Sequence, residues 1–192
     1  MKIAIATLLV LIMGSSTFAS PVDPWDAMVL SFGTDYYERT AFAPMLTHLP
    51  VYIIYTWPEE PAVWGFECSV EVMGASNSLL STTSFPMPSI DVGDKNPVSH
   101  VYNFIVGYSE PMVTQGLTVL ATLDLFYLDT APLALMLGES NPSSLDEGYP
   151  AILLPDGSER SVWIENCACV NQDCCGIETE ETSFGTVKSL FR

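Results

Sequence analysis

Basic side chains are scarce: 6 Lys and Arg stand against 23 Asp and Glu, a formal charge of −17 at pH 7. A chain so acidic is repelled by nucleic acid and by anionic lipid surfaces, which excludes nucleic-acid binding. Histidine is scarcer still, with His48 and His100 alone. No Gly-x-Ser-x-Gly elbow, His-Glu-x-x-His pair or phosphate-cradling glycine loop occurs, so the usual hydrolase, zinc-protease and nucleotide signatures are missing. C-x2-C pairs are missing too, and with them the common zinc patterns. Nor does any segment before residue 180 carry a sustained helical stripe. Charged residues make up only 15% of the chain against 48% hydrophobic, a balance that rules out intrinsic disorder.

What is present begins with a leader. Met1-Lys2, an apolar stretch to Met13 and the small-residue exit Gly14-Ser-Ser-Thr-Phe-Ala-Ser20 describe a secretory signal peptide cut after Ala19 or Ser20. The apolar stretch is far shorter than the roughly 20 residues of a membrane helix. A second apolar region, 117–137, contains Asp124, Asp129 and Pro132, and reads as two strands joined by a turn rather than a membrane span. The expected product is an exported, soluble protein, secreted or held at the cell surface or in the periplasm.

Five cysteines suit that compartment: Cys68 alone, then Cys167, Cys169, Cys174 and Cys175. All five are disulfide candidates in an oxidising environment. Five is odd, so one is free or pairs between chains. A Cys68–Cys167 bridge would tie an early strand to the end of the domain, but spacing alone leaves the connectivity open.

The dominant pattern has period two. Phe66, Cys68, Val70 and Val72 alternate with Glu67, Ser69 and Glu71; Tyr102, Phe104, Val106 and Tyr108 line one face of another strand. Leu117, Val119, Ala121, Leu123 and Leu125 alternate with Thr118, Leu120, Thr122 and Asp124, and Leu133, Leu135 and Leu137 repeat the pattern. Shorter candidates lie at 27–32, 51–57, 151–154 and 160–164. Turn-forming clusters separate them, among them Trp57-Pro-Glu-Glu-Pro61 and Pro155-Asp-Gly-Ser158. The expectation is all-β: an antiparallel sandwich of seven to nine strands over residues 21–166. A Cys-rich and acidic spacer follows over 167–183. The last segment, 184–192, is apolar at 184, 187, 190 and 191 and ends on Arg192; it reads as a short docking helix or a sorting tail.

Trp64-Gly-Phe-Glu-Cys-Ser-Val-Glu-Val72 and Leu117-Thr-Val-Leu-Ala-Thr-Leu-Asp-Leu-Phe126 resemble the strands of cohesin-like and carbohydrate-binding-like bacterial sandwich domains. The Pro155-Asp-Gly-Ser-Glu-Arg-Ser-Val162 hairpin is similar to a late turn of such domains, and 183–192 to the closing segment of secreted proteins with that architecture. The resemblance covers about residues 60–165 and implies a non-catalytic secreted or surface module. No dockerin-like Asp-x-Asp-x-Asp-Gly loop occurs, so it does not imply membership of a cellulosome.

A Cys68–His100 dyad is disfavoured because Cys68 lies on an apolar strand face. Glu67 and Glu71, four residues apart on one strand, stand roughly 13 Å apart, too far for either glycosidase geometry. Asp91, Asp94 and Asn96 offer three oxygens in one loop, a candidate calcium site, with a solvated turn as the plain alternative. Aromatics suit sugar binding, and the candidates are Trp25, Trp57, Trp64 and Trp163: Trp57 and Trp64 flank the 58–61 loop, with Tyr55 close by, although Trp64 and Trp163 also suit core-capping roles. The functional expectation is a non-enzymatic module that binds a glycan or a surface protein. A purely structural envelope or matrix protein is the alternative, and a hydrolase the remote one.

Overall fold

A computed structural model describes residues 25–173 apart from 36, 37, 75, 76, 146 and 166. The leader (1–20), Cys174, Cys175 and the 184–192 segment lie outside the described residues. The described chain is all-β: β1 (Ala27–Ser31), β2 (Thr40–Ala41), β3 (Thr47–Thr56), β4 (Ala62–Met73), β5 (Leu79–Ser84), β6 (Ser89–Asp91), β7 (Lys95–Asn96), β8 (Val101–Val113), β9 (Leu117–Tyr127), β10 (Leu133–Gly138), β11 (Ala151–Leu153), β12 (Glu159–Ser161), β13 (Trp163–Glu165) and β14 (Ala168–Val170).

Two sheets form the sandwich. The first runs β13-β1-β3-β9-β5. In the second, β4 is central, with β8 along one edge and β10 and β11 end to end along the other. Beyond β10 come β14 and β2, beyond β11 comes β12, and β6 and β7 flank β8. Most pairings are antiparallel, as expected, but β1–β13 and β14–β2 are parallel. The sandwich also continues past residue 166, because β14 pairs with both β10 and β2.

The core fills from the period-two positions: Phe66, Cys68, Val70 and Val72 meet Tyr102, Phe104, Val106 and Tyr108 on the inner face of the second sheet. Two phenols cross the core and lock the sheets. Tyr108 Oη donates to the Leu120 carbonyl (2.8 Å) and Tyr102 Oη accepts from the Leu80 N–H (3.2 Å). Burying them is tolerable because each hydroxyl keeps a partner.

Strand β9 departs from simple alternation. A register shift opposite Ile53/Ile54 turns Leu120 into the core, whereas Val119 and Leu117 pack with Ile54 and Val29 in a separate small cluster. Such a bulge flips the facing of everything on one side of it. The 160–164 run likewise divides: β12 belongs to the second sheet and β13 to the first, with buried Val162 at the crossing.

The Cys68–Cys167 bridge is corrected. Cys68 is a free thiol, fully buried in the core, while Cys167 and Cys169 are disulfide-bonded. Geometry explains why: β14 lies two strands from β4, about 10 Å at sheet spacing, whereas bridged cysteines need Cα atoms within about 7 Å.

Candidate ligand-binding site

Strands β10 and β11 continue one line along β4, Leu135–Gly138 opposite Val72–Ser69 and Ala151–Leu153 opposite Glu67–Gly65. Between them the 139–150 segment leaves the line and folds over the outer face of the second sheet. Glu67 pins it, accepting from the Ser144 N–H (2.9 Å) and Ser144 Oγ (2.8 Å); Asn103 Oδ1 on β8 accepts from the Asn141 N–H (2.9 Å). Both anchors point outward by strand parity, yet both are buried by this cover. Glu67 is therefore a structural anchor, and the glycosidase pairing with exposed Glu71 has no geometric basis.

At the start of β1 the two sheets meet through one buried carboxylate. Asp26 Oδ2 accepts from Arg160 Nη1 (2.6 Å) and Oδ1 from Arg160 Nη2 (2.8 Å), a bidentate pair joining β12 to the entry of β1. The Tyr55 hydroxyl also donates to Asp26 Oδ1, and the Glu59 N–H reaches the same oxygen (3.2 Å). Glu59 and Glu60 stand 3.5 and 3.7 Å from the guanidinium. Burial pushes the Asp26 carboxyl up, but the bonds from Arg160, Tyr55 and the Glu59 backbone, with the Arg160 charge, hold it below its ordinary value. Burial and the neighbouring Asp26 push the Tyr55 hydroxyl up.

Aromatic side chains gather on either side of this clamp. Backbone bonds place three tryptophans around it: the Asp26 N–H donates to the Trp57 carbonyl and the Trp163 N–H to the Asp26 carbonyl, both at 3.3 Å, and Trp25 precedes Asp26. On one side Trp25, 61% exposed, and Trp57 line a cavity of about 250 Å³ with Glu59, Glu60 and Gln115. On the other, Tyr149 and Trp163 meet edge to face, centroids 5.4 Å apart, over a cavity of about 410 Å³ that includes Glu147, Glu159 and Arg160. The hairpin between β11 and β12 supplies part of this wall. It turns through Gly157 at φ 86°, with the Leu154 N–H donating to the Ser158 carbonyl at 2.8 Å.

The structure separates the expected binding residues. Trp57 belongs to the first sheet's outer face, packed beside Ile54, with its backbone at φ 39° and its N–H on the Gly116 carbonyl (2.6 Å). Trp64, 38% exposed, projects from the outer face of the second sheet at the β4 bulge, where Gly65 is required because a Cβ would strike the Val106 carbonyl. The two do not share a cavity. Tyr55 is not a binding residue either: it is fully buried, and its hydroxyl serves Asp26 and Arg160 Nη2 (2.9 Å). From the sequence Trp25 and Trp163 stand among the candidate tryptophans, Trp163 weighted toward the core, and Tyr149 is missed. Signals that exposed them were the strand split at Val162 and the 139–150 cover, neither visible in spacing.

Asp91, Asp94 and Asn96 sit in the loop that carries β7, and Asp91 and Asn96 have partners within the chain. The cation of that loop is Lys95, whose Nζ pairs with Asp91 Oδ2 (2.9 Å), donates to the Gly93 carbonyl (3.2 Å) and the Asn103 carbonyl, and stands 4.1 Å over the Phe104 ring. Asp91 Oδ1 accepts from the Gly93 N–H (3.0 Å); Asn96 Oδ1 accepts from Val98 and Ser99; Asp94 gives its carbonyl to the Asn103 N–H. Among the described residues no group of three His, Cys, Asp or Glu side chains is placed to hold a metal.

The strand order, the interrupted edge of β4 and the aromatic end can be set beside known structures. The fold is cohesin-like. A type II cohesin domain from the cellulosome of Acetivibrio cellulolyticus is similar over 78% of this chain and 97% of its own, with TM-score 0.57 and 10% identity. A type I cohesin from Clostridium thermocellum, solved in a cohesin–dockerin complex, is similar over 75% and 96%, with TM-score 0.54 and 9% identity. A non-cellulosomal cohesin from the archaeon Archaeoglobus fulgidus is similar over 76% and 91%, with TM-score 0.51 and 10% identity. No protein-family model matches the sequence, and no curated protein is significantly similar to it. Among the described residues no helix is long and apolar enough to cross a membrane.

Proposed function

We propose that this protein is a secreted, non-enzymatic module that binds a protein partner through the outer face of its second sheet. One observation carries the reading. That face presents large apolar side chains to solvent on a protein of charge −17: Trp64 beside Gly65 on β4, and Ile90 on β6, with Gly107 of β8 between Gly65 and Ile90. A cavity of about 210 Å³ lies beside Ile90 and Gly107. An exposed apolar patch rimmed by polar residues marks a protein contact. The fold is consistent with such a role, since the C. thermocellum cohesin of this shape was solved with a dockerin. The leader at 1–20 supports secretion. The non-enzymatic reading rests on chemistry: the Cys68 thiol is buried and its pKa pushed up by desolvation, so it is no nucleophile, and Glu67 is spent on the 139–150 segment.

The test is affinity capture from the producing culture with the wild-type chain and with an Ile90→Glu, Trp64→Ser double variant. A protein retained by the first and lost with the second supports the reading. Equal retention, or none by either, defeats it, and the second outcome favours a structural envelope role.

The Trp25–Trp57 cavity supports a second reading, glycan binding, because two indoles there flank the amide of Gln115 and the carboxylate of Glu59. A melting-temperature rise with an oligosaccharide that disappears in Trp25→Ala is the expected signature; unchanged melting across a glycan panel removes it.

A further inference from the structure

We infer that the larger cavity, between the 139–150 segment and β12–β13, takes the alkylammonium side chain of a lysine from the partner polypeptide. Its walls match the two halves of that group. Trp163 and Tyr149 present aromatic surface at the mouth, both exposed and meeting at 71°. A cation over such rings is attracted by their quadrupole, indole above all. The methylene stem has Leu145 and Val162 to lie along.

The charges select a cation over a neutral or anionic guest. Glu147 and Glu159 both line the cavity, and the Ser161 hydroxyl donates to Glu147 Oε2, which fixes one carboxylate in place. Arg160 also lines it, yet its positive charge is outweighed: Asp26, Glu59 and Glu60 surround the one guanidinium, leaving a local surplus of two negative charges. An anion entering here meets that surplus, and a neutral sugar leaves it unused. The whole chain, with 23 acids against 6 bases, steers basic partners toward it. The inference deepens the protein-binding reading by naming the partner's chemistry, and its test needs no partner, so the two can fail separately.

The experiment titrates the intact protein with N-acetyl-lysine methylamide and with its norleucine counterpart, which keeps the stem and lacks the ammonium. Binding is followed by tryptophan fluorescence and by amide shifts at β12–β13. The expected result is saturable binding of the lysine probe, with the norleucine probe about tenfold weaker, the size of one cation–π contact freed of water. Trp163→Ala and the double variant Glu147→Gln, Glu159→Gln each weaken the lysine probe about as much, while Trp163→Phe, which keeps a ring, retains it. Added salt weakens binding. Melting curves of each variant separate lost binding from lost fold. Equal affinity for the two probes, unchanged binding in Trp163→Ala, or no saturable binding overturns the inference. So does a neutral oligosaccharide that saturates this cavity in place of the amine.

Discussion

Asp26 has four hydrogen-bond donors converging on one carboxylate, from β3, β12 and the 58–61 loop, and both aromatic cavities are built around it. Asparagine at this position removes the charge that Arg160 faces and leaves a guanidinium half-hidden among weaker partners. Breaking such a pair from one side costs about 3–5 kcal/mol. Urea unfolding of Asp26→Asn should show a loss of that order, and a shift under about 1 kcal/mol would mean that Glu59 and Glu60 take over the pair. The same residue sets an acid limit. Its folded-state pKa lies below the ordinary value of 3.8, so its contribution is complete above that value and is lost as pH falls through the lower, folded-state one. The wild type should therefore lose stability below about pH 4 more steeply than Asp26→Asn does, and parallel acid curves would contradict the assignment.

Lys95 makes the opposite point about residue-scale reading. Three oxygen-bearing side chains within six positions read as a calcium loop, and the lysine between them already pairs with Asp91 and two carbonyls. Lys95→Met should cost about 1–3 kcal/mol by leaving Asp91 and two carbonyls without their donor, measured as a lower melting temperature. If Lys95 fills the loop, calcium added to the wild type leaves its melting unchanged; a clear rise would support the calcium site instead.

Among the elements, the long strands were legible because each shows one dry face, and alternation needs no knowledge of neighbours. Strands β8 and β10 keep their parity throughout, and β4 keeps it from Phe66 onward, past its bulge. Strand β9 was half legible: its bulge turns Leu120 inward, where the Tyr108 hydroxyl meets its carbonyl, and a pairing irregularity leaves no mark in composition. Short strands such as β2 and β14 hold two or three residues and owe their existence to an edge offered by others. The site was less legible than the fold for the same reason. Trp163 reads as a core residue while 160–164 is taken for one strand, and becomes exposed once the chain changes sheets at Val162. The 139–150 segment was invisible as a cover because its anchors, Glu67 and Asn103, look like solvent-facing polar positions. Glu67→Ala should free the Ser144 amide and speed its hydrogen exchange by about an order of magnitude or more, with amides of β4 and β8 unchanged. Unaltered exchange at Ser144 would show that Asn103 holds the segment alone.

At the scale of the whole molecule, the cysteines report how sandwich and terminus are joined. The leader-like start and the cysteine count are both read without tertiary contacts, and they support the proposed export. Pairing cannot be read so, since it depends on which strands become neighbours. Strand β14 brings Cys167 and Cys169 to the far side of β10, while Cys68 faces inward between the sheets opposite Phe104. The thiols are thus of two kinds. Cys68 is shielded from solvent and its ionisation is pushed up by burial, so neither the reactive thiolate nor a path to it exists in the folded state. Alkylation of exported, unreduced protein should leave Cys68 untouched until denaturant unfolds the sandwich, and should modify Cys167 and Cys169 only after reduction. Labelling of Cys68 in the native protein would mean that the sheets part readily between β4 and β8. Labelling of Cys167 or Cys169 without reduction would mean that β14 is held to β10 and β2 by its strand pairing alone.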